Sequence, residues 1–77
     1  MFDTSKLRGR IIEKFGSQNA FAEAAHRSIS FVSQYLNGKT SLDQKIMNEW
    51  IDLLDIPSYE IDQYFFVKKV HDIEQEA

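Results

Sequence analysis

Apolar residues recur along this chain at helical spacing, and nowhere do they alternate with polar ones for long enough to make a strand. Leu7, Ile11 and Phe15 fall at i, i+4 and i+8 with Ile12 beside them. This predicts a first helix over Ser5–Phe15, capped by Thr4 or Ser5 and stopped by Gly16. Gly9 costs that helix about 1 kcal/mol relative to Ala, so either packing offsets it or another backbone passes close by. A second helix over residues 18–25 starts from Ser17 and turns Phe21, Ala22 and Ala25 inward. A third, Ile29–Leu36, starts from Ser28, buries Val32 and Leu36, and ends at Asn37-Gly38, residue types that tolerate positive φ. Ser41 and Gln44 have capping-box spacing and open a fourth helix over residues 42–54. Its apolar arc, with Leu42, Ile46, Met47, Trp50, Ile51, Leu53 and Leu54, is wide. Either it is the central core helix, or its edge is a dimer surface with Met47 or Ile51 exposed. Pro57 precedes a short fifth helix over residues 58–64, which leads Tyr59, Ile61 and Tyr64 into Phe65-Phe66. The expected fold is all-α, a single five-helix domain over residues 1–66 with a charged tail over 67–77.

Composition narrows this further. A chain of 77 residues makes one domain with a thin core, burying only about 60% of its unfolded surface. It has no cysteine, so disulfides and thiolate zinc sites are excluded, as fits a reducing cytoplasm. No apolar stretch follows Met1 as in a signal peptide, and none approaches the roughly 18 residues of a membrane span. A soluble cytoplasmic protein is expected. His26 and His71 share no ligand spacing, and there is no glycine-rich phosphate loop or nucleophile elbow. Asp52 and Asp55 read as solvated groups on a polar helix face. Neither an enzyme nor a metal or cofactor site is expected.

The net charge is −3, but it is unevenly spread. Residues 1–45 carry seven Lys and Arg against four Asp and Glu, a net of +3; residues 46–77 carry two against eight, a net of −6. A basic front and an acidic back follow, and a nucleic-acid backbone responds to the local field rather than the total.

The front holds the segment with the clearest chemistry, residues 18–38. Two short helices joined by a tight turn let the second project into a major groove, with small Ala22 allowing close approach and Phe21 and Val32 fixing the angle. Ile29, Ser30, Ser33 and Gln34 point outward on the second helix. Gln bonds adenine in a bidentate way, Ser bonds either base edge, and an aliphatic group meets a thymine methyl.

This segment resembles the Cro/CI-type helix-turn-helix of phage repressors. Gln18 opens the first motif helix, Phe21-Ala22 follows, Ser28 leads through Val32-Ser33 in the second, and Asn37-Gly38 closes it. The resemblance implies a repressor-like domain whose motif is helices 2 and 3. It implies base contacts by Ile29, Ser30, Ser33 and Gln34. It implies phosphate contacts by Gln18, Asn37 and the backbone at Ser28, with Arg27, Lys39 and Thr40 beside them. Many relatives have Gly in the turn, where this chain has His26. Relatives also pair a Glu with an Arg of the first helix, where Leu36 and Ile11 stand here. Packing is expected to replace that ion pair.

Residues 5–16, Leu36-Asn37-Gly38-Lys39 and Tyr64-Phe65-Phe66 are similar to a narrower group, the short Cro-like regulators and modulators of repression of temperate phages. Two functions follow as expectations. In the first, the chain binds double-stranded operator DNA at a lysis-lysogeny switch, as a weak homodimer, through the helix-turn-helix. In the second, it modulates repression by binding a CI-type repressor and binds DNA weakly alone. The acidic back, the Tyr64-Phe65-Phe66 region and the arc around Trp50 would then serve the partner.

Overall fold

The computed structural model describes residues 3–65; Phe66 and the expected tail over 67–77 lie outside the described residues. α1 spans Ser5–Phe15, α2 Gln18–Ala24, α3 Ile29–Leu36 and α4 Gln44–Leu53, and a 3-10 turn at Ser58–Glu60 runs into α5, Ile61–Phe65. Among the described residues there is no strand, so the fold is all-α with five helices. α1 lies against α2 and α5, and α2 against α3.

Three helices start where a short polar side chain relieves an orphan backbone N–H. The Ser17 hydroxyl accepts from Ala20 N–H (3.1 Å), the Ser28 hydroxyl from Phe31 N–H (3.1 Å) and the Asp43 carboxylate from Ile46 N–H (2.8 Å). Asp43 displaces the expected Ser41 cap, because a charged acceptor bonds an amide more strongly than a hydroxyl does. α4 therefore starts at Gln44 rather than Leu42, and the Gln44 side chain donates its Nε2–H forward to Asn48 Oδ1 (2.8 Å) instead of accepting from the Ser41 backbone N–H. α1 corrects the expectation in another way. Thr4 occupies the cap position, but its hydroxyl donates to the carbonyl of Leu36 (2.7 Å), and Asp3 accepts from Ser5 N–H (2.9 Å). The fifth helix is divided, its first turn being 3-10.

α2, α3 and α4 all end in the same paired-bond motif, which needs one residue in the left-handed region. Arg27 N–H donates to Ala22 carbonyl and His26 N–H to Glu23 carbonyl; Lys39 and Gly38 bond Gln34 and Tyr35 in the same way, and Ile56 and Asp55 bond Ile51 and Asp52. The left-handed residue is His26 (φ 57°), Gly38 (φ 76°) and Asp55 (φ 52°) in turn. Only one of the three is the glycine such a position favours. α2 accordingly closes at Ala24, with Ala25 as its C-cap rather than its last helical residue.

Trp50 is fully buried and organises the core. Phe21, Tyr35 and Phe31 meet its ring edge-to-face at 5.0, 5.6 and 6.3 Å, the arrangement their quadrupoles favour. Its Nε1–H finds no acceptor among the described residues, a cost of about 1–3 kcal/mol. Leu7, Ile11, Phe21, Val32 and Leu54 complete the dry interior, while Met47 and Ile51 pack against it half-buried. The wide arc of α4 thus faces the core, with Met47 and Ile51 half-buried along its edge. Tyr64 and Phe65 are buried as well, which removes them as a partner surface. Ile11 and Leu36 lie in one apolar cluster, as the sequence predicts. Gly9 is exposed, and nothing lies within 4 Å of the place a methyl would take there, so no backbone approaches it.

Candidate functional site

The polar side chains of α1 do not form a free basic front. Arg8 Nη2 donates to the carbonyl of Leu36 (2.7 Å) and to Asn37 Oδ1 (2.8 Å), so it holds the C-terminal end of α3. Arg10 Nε donates to the carbonyl of Leu54 (2.8 Å) and Nη2 to that of Asp55 (3.1 Å), which holds the end of α4. Two residues advance a helix by about 200°, so these arginines leave α1 on different sides and reach different helices. Lys14 binds the Asp55 carboxylate (2.6 Å), and Lys6 bonds Gln63 and lies over the Tyr64 ring at 4.8 Å. Cations at helix C-termini satisfy orphan carbonyls and oppose the negative end of the dipole. The Lys14 hydrogen bond, and then its charge, hold the Asp55 carboxyl below the usual carboxylate range. Asp55 is therefore not the simply solvated acid that its position in the sequence suggests.

α3 has the opposite character on its outer side. Ile29, Ser30, Ser33 and Gln34 line a shallow concavity of about 340 Å³. Ser30 and Gln34 are exposed, Ser33 is half-buried, and Ile29 keeps 40% of its surface in water although it is apolar. The structure thus brings together the four residues expected to face bases. The residues expected at phosphates are placed less uniformly. Gln18 is half-buried at the start of α2, and Lys39 is exposed beyond α3 with Thr40 half-buried next to it. The hydroxyl of Ser28 is taken by Phe31 N–H. Asn37 accepts from Arg8 and donates to Ser33 Oγ (3.3 Å). Arg27 faces Glu49 at 3.7 Å and lies 5.8 Å from the Phe31 ring, with its Nε buried and unpaired.

The clamp made by Arg8 and Arg10 left no signal in the sequence. An Arg on a polar face looks solvated until the partner carbonyls are placed, and backbone acceptors leave no mark in residue identity.

Residues 1–68 match the family described as protein of unknown function (DUF739). The chain belongs to that family. No curated protein sequence matches it. Among solved structures, it is similar to the modulator of repression (MOR) of the temperate bacteriophage TP901-1 from Lactococcus lactis, with 35% identity and a TM-score of 0.74. The likeness covers 84% of this chain and 88% of that one. It agrees with the narrower resemblance, to short temperate-phage regulators, and the family it accompanies is DUF739 rather than the Cro/CI-type helix-turn-helix family. A phage regulatory role is supported for this DUF739 member. No described helix is long and apolar enough to cross a membrane.

Proposed function

We propose that this protein is a phage modulator of repression that acts by binding a CI-type repressor, with only weak DNA binding of its own. The observation that carries the reading is the outer face of α3, which is uncharged and includes a partly exposed isoleucine. Affinity for DNA comes largely from neutralised phosphates, so a reader helix needs Lys or Arg around it. Here Arg8, Arg10 and Lys14 are bonded to the ends of other elements, and Arg27 is drawn towards Glu49. An apolar anchor ringed by short polar groups suits a protein partner better. Likeness to a modulator of repression over most of both chains supports the same reading.

The test is calorimetric titration of the purified chain into the CI-type repressor of its own phage or prophage. A saturable complex is expected, with Ile29→Ala weakening it by at least about tenfold, the size of a modest hot spot. Absence of heat and of a co-eluting species at tens of micromolar would sink the proposal.

The placement of Ser30, Ser33 and Gln34 around one concavity favours a second reading, direct recognition of operator DNA by α2 and α3 as a helix-turn-helix. Selection from a random duplex pool separates the two. Enrichment of a short palindrome by the chain alone supports the DNA reading; unselective, salt-sensitive background supports the modulator.

A further inference from the structure

A second concavity, of about 380 Å³, lies where the turn between α2 and α3 meets α4. It shares no residue with the α3 concavity, so its test stands apart from that of repressor binding through α3. Ala24, Ala25 and Leu53 supply apolar lining, and Glu49 and Asp52 supply carboxylates. Glu49 and Asp52 are three residues apart on α4 and therefore neighbours on its surface. His26 and Arg27 line it too, and Arg27 stands 3.7 Å from Glu49, a loose pair. Asp52 is exposed, and its carboxylate has no partner among the described residues. The wider field has the same sign, since residues 46–65 hold five Asp and Glu and no Lys or Arg.

We propose that this groove is a docking site for an arginine side chain presented by a partner protein. Charge complementarity identifies the occupant: an apolar lining with two adjacent carboxylates, one unpaired, fits a cation on a long aliphatic stem. Arginine suits it better than lysine, because a planar guanidinium donates along two directions and bridges two carboxylates. Its methylenes cover Ala24, Ala25 and Leu53, its fork binds Asp52 and Glu49, and Arg27 keeps its place near Phe31.

The experiment is an amide NMR titration of the full chain with the blocked peptide acetyl-Leu-Arg-Ala-amide and with its citrulline counterpart, which has the same shape and no charge. The arginine peptide should shift the amides of Ala24, Ala25, Glu49, Asp52 and Leu53 saturably in the millimolar range, and the citrulline peptide should bind at least about tenfold more weakly. Asp52→Asn, at an exposed position whose side chain bonds nothing among the described residues, should bring the arginine peptide close to the citrulline level while the rest of the spectrum stays unchanged. Equal shifts from both peptides would overturn the proposal. So would shifts spread equally over Glu60 and Asp62, or none at about 20 mM peptide.

Discussion

α1 and α3 bury their inner faces in the same core but use their outer faces in opposite ways. The inner side of α1 is Leu7 and Ile11, and that of α3 is Val32, Tyr35 and Leu36. On the outside, Arg8, Arg10 and Lys14 each reach another part of the chain, whereas the side chains of Ser30 and Gln34 reach no partner among the described residues. A charged side chain bonded within the fold stabilises it, and a polar side chain left free can serve a partner. α1 therefore works as a clamp on the ends of α3 and α4, while the outer side of α3 stays open to solvent.

The comparison is broken most severely in the shared interior. Ile11→Ala and Leu36→Ala should each destabilise the fold by about 2–5 kcal/mol, since both side chains are buried; urea unfolding measures this. A much smaller loss at one of them would mean that its helix is not locked into the core. Arg8→Ala comes next, at about 1.5 kcal/mol, because it leaves a charge-assisted bond to the end of α3 unmade while Thr4 still satisfies the Leu36 carbonyl. Gly9→Ala should stabilise by about 1 kcal/mol, read as a higher thermal midpoint, since nothing obstructs a methyl there. Gln34→Ala, on the presented side, should change stability by no more than about 0.5 kcal/mol; a larger loss would show that α3's outer face also supports the fold. The smallest effect concerns acid. Asp55 has a lowered folded-state pKa, so its pairing with Lys14 contributes above the usual carboxylate range and is lost as pH falls through the folded value. Asp55→Asn should flatten the acid limb of the stability profile by removing a small contribution at neutral pH, while stability below the folded value stays unaltered.

Much of the fold was legible in the residues. The i, i+4 spacing of Leu7, Ile11 and Phe15 located α1, and Ser28 with Asn37-Gly38 bounded α3 at both ends. Ser30 and Gln34 at the α3 concavity were legible too, since their outward positions follow from helical period once Val32 and Leu36 are inside, whereas the period alone puts Ile29 on the face of Leu36. Tyr64 and Phe65 were not. An aromatic cluster late in a chain looks the same whether a neighbour covers it or water does, and here the core covers both. Asp55 misled for a related reason, because its left-handed backbone and its link to Lys14 depend on where α1 lies.

The sequence by itself determined what is local: helical period, the serine caps at Ser17 and Ser28, the inward faces, and a chain with acids gathered in its second half. Tertiary structure decided which charges are spent. Arg8 and Arg10 are two residues apart, yet one closes α3 and the other α4. Their carbonyl partners lie 28 and 44 residues away along the chain. Backbone acceptors are common to every residue, so only the packing that brings a helix end within reach of a guanidinium selects among them.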